Sequence, residues 1–275
     1  MARPLRILVA GGWYQVTSRG NRREAIYRTD ADRRRFLGLV AELPERFGLE
    51  VHAFVLLDNH YHLVVRTTEP NLSEAMRWLH VSYSSRFNWA NRMCGHVFQG
   101  RYQAMVIEDV RGVVEVARYV HLNPVRVGRW GLDKERQRQS RVMGGVDPGA
   151  ELVRKRLQEL KDYRWSSWRV YQGAEPAPGW LETGVIGAGC GGRSREDRRQ
   201  ARREYTEAPV RQGRLESPWV GLIGGVGGLK YGAAAQAVRR FATGLPQDAA
   251  KVRFVEGMKR RLRERTMRGG WRVDH

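Results

Sequence analysis

The sequence predicts an α+β fold built on a ferredoxin-like β-α-β-β-α-β core. Three observations predict it. Strand-length apolar runs alternate with helix-period stripes over the first 122 residues. The pair Asp58-Asn59 joins two of those runs as a two-residue hairpin. Pro124 stops the last stripe, so the elements run β-α-β-β-α-β with one helix added. That order predicts a four-stranded, mainly antiparallel sheet with two helices on one face.

The elements follow in order. Ile7–Ser18 reads as a strand interrupted by Gly11-Gly12, with Trp13, Tyr14, Val16 and Thr17 as strand formers. Thr29-Asp30 opens a helix on which Phe36, Val40, Leu43 and Phe47 recur at helical spacing, and Pro44 kinks or ends it. Leu49–Leu57 is a strand, and His60–Arg66 returns beside it. Asn71 with Glu74 three residues on makes a capping-box-like start for a helix whose apolar face is Leu72, Ala75, Met76, Leu79 and Tyr83. Phe98–Ile107 is the fourth strand. Asp109 caps a third helix with a stripe of Val110, Val113, Val114, Ala117 and Val120.

The chain has 275 residues and a formal net charge of +20. All but six of its 49 cations are arginine, whose planar fork suits phosphate oxygens and stacks on bases. A polyanionic partner follows, nucleic acid first and an anionic membrane second. Cys94 and Cys190 belong to no CxxC pair, which argues against a disulfide framework or a Cys-rich zinc site. No apolar run reaches the ~18–20 residues of a membrane span, and the Ile7–Ala10 run is too short for a signal-peptide core. The expectation is a cytoplasmic chain with no membrane partner.

Two segments can carry chemistry. In a strand, His60 and His62 project from one face, and two imidazoles at this spacing can share a divalent cation, although they can equally be two polar residues on a solvated face. On the third helix, Tyr119 and Asn123 lie four apart on one side. Pro124 disfavours helical geometry at Asn123, which also fits a plain helix terminator. His121 points elsewhere and reads as packed, and His52 reads as structural. Cys94 and His96 have no second pair that would hold zinc. Glu108 and Asp109 read as strand-end and cap residues.

These segments resemble the Y1 His-hydrophobic-His (HUH) transposases of the IS200 type. Within them the resemblance is to the REP-associated tyrosine transposases. It rests on His60-Tyr61-His62 with its hairpin, on the segment from Tyr119 through Asn123-Pro124 to Gly128, on Arg19-Gly20-Asn21-Arg22-Arg23 after the first strand, and on Gly95 to Tyr102 entering the last. It covers about residues 3–130. The resemblance implies an HUH endonuclease fold that cleaves and rejoins single-stranded, hairpin-bearing DNA such as REP-like palindromes. Tyr119 would be the nucleophile, forming a 5′-phosphotyrosine. His60 and His62, with Asn123 as a further ligand, would hold Mg²⁺ or Mn²⁺. Arg19, Asn21, Arg22, Arg23, Arg101 and Tyr102 are candidate DNA contacts, with a base stacking on Tyr102. In related transposases a partner subunit can complete the site, so the expectation is a monomer or homodimer with Tyr119 acting in cis or in trans. Two other readings stand beside this one: a non-catalytic nucleic-acid-binding protein on the same fold, and a domesticated regulator that nicks without moving DNA.

A boundary is placed at Trp130, between a catalytic domain over residues 1–130 and a basic, mainly helical extension over 131–275. The first carries +7 and the second +13. Glu151–Asp162, Arg195–Tyr205, Ala233–Phe241 and Asp248–Arg265 read as helices. The last is basic and amphipathic, as a helix on a nucleic-acid backbone or a membrane surface would be. Gly187 to Gly192 matches GxGxxG by letter but reads as a flexible linker and is assigned no nucleotide.

Overall fold

The structure, a computed structural model, describes residues 8–107, 109–143 and 148–215. Glu108, the Gly221–Gly228 stretch and the helices expected at Ala233–Phe241 and Asp248–Arg265 lie outside the described residues.

Four strands form one antiparallel sheet: β1 (Trp13–Arg19), β2 (Leu49–Leu57), β3 (His60–Thr67) and β4 (Gln103–Ile107). Their spatial order is β2-β3-β1-β4, the ladder of a split βαβ fold. Alternation decides what each face buries. One face presents Tyr14, Val16, Leu56, Tyr61, Leu63 and Val65 to α1 (Asp30–Ala41) and α3 (Leu72–Asn91), which supply Phe36, Leu39, Leu72, Met76, Leu79 and Tyr83. Thr29 caps α1 in a full capping box with Asp32. Pro44 falls in the first turn of a separate short helix, α2 (Leu43–Phe47), so the expected break occurs at Glu42. Gly48 ends α2 at φ 59°, the left-handed conformation that lets the chain turn straight into β2.

Some expectations change. Asn71 does stand at the start of α3, but its side chain donates to the Phe47 carbonyl at 2.8 Å instead of capping. Strand β1 starts at Trp13, and β4 is confined to Gln103–Ile107 with only an isolated bridge from Phe98 to Gly20 ahead of it.

The second face of the sheet is covered by α4 (Val110–Leu122). Its buried stripe is Val113, Val116, Ala117 and Val120, and Val110 stands exposed in the first turn. Beyond it come α5 (Lys134–Met143), α6 (Ala150–Asp162), α7 (Trp168–Tyr171), α8 (Gly184–Gly189) and α9 (Arg195–Arg211). The described part of the extension builds no separate core. Leu160, Trp168, Tyr171, Ile186 and Val210 join the α4 stripe in one cluster. The same region also covers the outer edge of β2. Leu56 N–H donates to Trp165 O at 2.8 Å, Ser167 N–H to Phe54 O at 3.0 Å and Glu182 N–H to Val51 O at 2.9 Å. Sheet edges left open are templates for mispairing, and here one is closed.

Gly189 shows why the glycine-rich segment is not a loose linker. A Cβ there would lie 2.4 Å from Val114 Cγ2. The residue is glycine because α8 presses directly on α4.

Candidate functional site

The site begins at the β2–β3 hairpin. Leu57 pairs with His60, which leaves Asp58-Asn59 as the two-residue loop. Three contacts hold that loop. Gly20 N–H donates to Asn59 O at 2.8 Å, Asn59 Nδ2 donates to Arg23 O at 3.0 Å, and Arg33 Nη2 meets Asp58 Oδ1 at 2.5 Å. The Asn59 nitrogen is thereby identified, so its oxygen is the atom 2.7 Å from His60 Nδ1. An amide oxygen only accepts, so Nδ1 carries the proton and the lone pair sits on Nε2, the form that binds a cation.

His62 lies two residues on, its ring 5.2 Å from that of His60 at 81°. It is buried, and its Nδ1 is 2.8 Å from Gln15 Nε2. With the amide in that orientation Nδ1 accepts and the proton is on Nε2. Gln15 Oε1 is buried without a partner, so turning the amide over keeps one hydrogen bond and moves the His62 lone pair to Nε2. The imidazole tautomer and the amide orientation are therefore one linked choice.

Tyr119 reaches this pair from α4. Asp109 starts the helix by accepting from Gly112 N–H at 2.8 Å. Tyr119 flanks the buried stripe, half-buried, with its ring 5.9 Å from His62 at 89°. Arg126 also lies over that ring, its Cζ 4.7 Å from the centroid. The structure thus brings together His60, His62 and Tyr119, from two elements nearly sixty residues apart in the chain.

Asn123 ends α4, as the helix-terminator reading expects, although Pro124 does not take it out of helical geometry. It keeps helical angles, φ −55° and ψ −38°, and Pro124 opens a 3₁₀ turn after it. Its Nδ2 donates to Tyr119 O at 2.9 Å and Val120 O at 3.3 Å, so the side chain closes its own helix and engages no histidine among the described residues. Only its oxygen remains as a donor atom for a cation.

Behind the site, His121 points away from Tyr119 into the second core. Its Nε2 is 2.9 Å from Ser167 Oγ, and Ser167 in turn bonds the backbone of Phe54. Burial, with the Arg202 charge adding to it, pushes the His121 pKa down to about 3. His52 is buried against Trp13 and 3.3 Å from Glu50, with its pKa lowered by burial. Both are structural. Cys94 and His96 are exposed, and no group of three or more His, Cys, Asp or Glu forms a metal cluster among the described residues.

The candidate DNA contacts divide. Arg19 is exposed, pairs in register with His60, and donates to Gln99 Oε1 at 3.0 Å. Asn21, Arg22 and Arg23 are exposed on the turn fastened to the hairpin, with Arg22 and Arg23 at φ 52° and 66°. Arg101 is exposed. Tyr102 is not available for stacking. It is 6% exposed within the first core, with its hydroxyl 3.0 Å from Ser73 Oγ.

Gln15 and Arg126 escaped the sequence reading. A glutamine amid the strand formers of β1 was the signal for the first. For the second there was no periodic signal, because Arg126 follows the 3₁₀ turn that ends α4.

Residues 9–123 match the family model described as "Transposase IS200 like". Among solved structures, the chain is similar to the "Structure of the REP associates tyrosine transposase bound to a REP hairpin", at 18% identity and a TM-score of 0.43, over 70% of this chain and 99% of that one. No curated protein matches it. No helix among the described residues is long and apolar enough to cross a membrane.

Proposed function

We propose, from the match of residues 9–123 to the IS200-like transposase family model, that the protein cleaves and rejoins single-stranded, hairpin-bearing DNA through Tyr119. The observation that carries the proposal is the contact of Tyr119 with His62, beside His60. The Tyr119 oxygen, once deprotonated, attacks a backbone phosphorus. The P–O3′ bond breaks, the 3′-oxygen leaves and takes up a proton, and the 5′-phosphate remains esterified to Tyr119. A 3′-OH on another strand reverses the step, losing its proton and displacing the tyrosine oxygen. The ester conserves the bond, so no nucleotide hydrolysis is required.

His60 and His62 would hold Mg²⁺ or Mn²⁺ through Nε2, with Asn123 Oδ1 completing the set if its amide turns outward. Two imidazoles and an amide oxygen are a borderline-to-hard donor set that suits those cations. When bound, the ion offsets charge on a non-bridging phosphate oxygen. Arg126, over the Tyr119 ring, would neutralise the same phosphate. Arg19 and the exposed arginines of the neighbouring turn would take flanking phosphates.

The contact lies within one chain, which supports action in cis. The test uses hairpin-bearing single strands labelled at either end, with Mn²⁺. Wild type should give a covalent adduct carrying the 5′-phosphate side and a free 3′-OH fragment, and Tyr119→Phe should give neither. Equal cleavage by both proteins would refute the role. A mixture of Tyr119→Phe with His60→Ala/His62→Ala should stay inactive, and restored cleavage would place the nucleophile in trans.

A further inference from the structure

A second site lies in the extension, away from the residues above. A cavity of about 450 Å³ opens between the turn after α7, α8 and the first half of α9. Arg195, Arg198, Arg199 and Arg202 line it from one face of α9, at positions i, i+3, i+4 and i+7.

Arg202 is the informative member. It is 7% exposed, its guanidinium stacks 4.6 Å from the Tyr171 ring, and Nη1 reaches Tyr171 O at 3.5 Å. It also bonds Cys190. Its Nε is buried without a partner, and no carboxylate among the described residues forms an ion pair with it. A buried cation without a counter-charge is costly, and an anion in the cavity removes that cost. Glu175, the carboxylate in the wall, is engaged by Arg169 at 2.6 Å. Arg198 bonds the Gly192 and Arg193 carbonyls, and Arg199 lies 3.6 Å from Glu196.

Glycines make the room. A Cβ at Gly187 would sit 3.0 Å from Arg202 Nη2, and one at Gly173, where φ is 84°, 3.2 Å from Arg199 Cζ. Gly187 in α8 and Gly173 in the turn after α7 thus leave space that the two guanidinium groups occupy. Planar forks converging on a cavity of small-ligand size match phosphate oxygens.

We propose that this cavity binds a phosphate-bearing ligand, through Arg202 at its floor and Arg195 and Arg198 at its rim. The phosphate can belong to a nucleic-acid strand or to a free nucleotide, and the experiment separates the two. The site is independent of strand cleavage by Tyr119.

The test titrates pyrophosphate calorimetrically into the full chain in EDTA at low salt. One equivalent should bind. Arg202→Gln should weaken it at least tenfold, and the exposed pair Arg195→Ala/Arg198→Ala should do the same even if Arg202→Gln fails to fold. Tyr119→Phe should bind pyrophosphate as wild type does. Competition then assigns the source: displacement by a dT8 oligonucleotide points to a strand, and displacement by ATP alone to a nucleotide. Absence of binding to wild type, or unchanged affinity in the Arg195→Ala/Arg198→Ala protein, would overturn the proposal.

Discussion

Acidification should loosen α4 through His121, by an amount that the shifted pKa sets. The imidazole is buried beneath α4 beside Ser167, with a folded-state pKa of about 3 against an ordinary 6.5. Between those values the unfolded chain binds a proton that the folded chain refuses. The stabilisation is therefore fully present above about pH 6.5 and is lost as pH falls toward 3. At pH 5 the difference in proton binding corresponds to about 2 kcal/mol for this one group, a sizeable part of a domain's stability. The assay is urea unfolding at pH 7.5 and 5.0 for wild type and His121→Gln, whose amide can still reach Ser167 but does not titrate. Wild type should lose about 2 kcal/mol more than the variant between the two pH values, with equal m-values. His52 and the carboxylates are common to both proteins and cancel. Equal losses would refute the assignment of a proton-refusing His121.

Other outcomes follow from single contacts. Gln15→Leu removes the amide beside His62 Nδ1 and should weaken Mn²⁺ binding, read by electron paramagnetic resonance, by about 10–100-fold, whereas Gln15→Glu, which accepts from Nδ1–H, should retain or tighten it. Gly38 in α1 is exposed, and a Cβ there would meet nothing within 4 Å, so Gly38→Ala should raise stability by roughly 0.5–1 kcal/mol in chemical denaturation. Gly189→Ala drives a methyl into Val114 and should lower it by about 1 kcal/mol despite the better helix propensity.

The order of elements was legible because it depends on local features. The period of the apolar residues, the Asp58-Asn59 turn and Pro44 each act within a few residues, and the sheet order follows from connectivity. The His60–His62 pair was legible for the same reason, since alternation alone places both on one face. What stayed hidden depends on which later residues cover which face. Tyr102 follows three exposed residues and looks available to a base, yet it closes the first core against Ser73. Asn123 keeps helical angles against the local effect of Pro124 because its side chain satisfies the last carbonyls of α4. Val116 joins the core cluster beneath the sheet, whereas Val110 stands exposed at the start of α4. The Gly187–Gly192 segment looks like a linker until α8 is seen against Val114 and Arg202 against Gly187.

The same reasoning changes what the uneven charge of the two halves can mean. Seven apolar residues beyond residue 130, from Leu132 to Leu215, are buried in the cluster that seats α4. At roughly 1.5–3 kcal/mol for each fully buried large side chain, their loss is on the order of 10 kcal/mol, comparable to the whole stability of a typical domain. A chain ending at residue 130 would also uncover β2, whose outer edge bonds Trp165, Ser167 and Glu182. Such a fragment should show no cooperative thermal transition by circular dichroism and should aggregate on gel filtration. A cooperative melt within a few degrees of the full chain would show the extension to be an appendage after all. If the fragment fails to fold, the +13 half cannot be read as a grip attached to an independent catalytic half, because part of it is scaffold for Tyr119. The arginine excess then has to be tested within the intact chain. Each phosphate contact removed by an arginine substitution should flatten the dependence of log affinity for a single strand on log salt by about 0.7. Substitutions at Arg19, Arg22 or Arg23 that leave the slope unchanged would exclude those side chains from the strand's path.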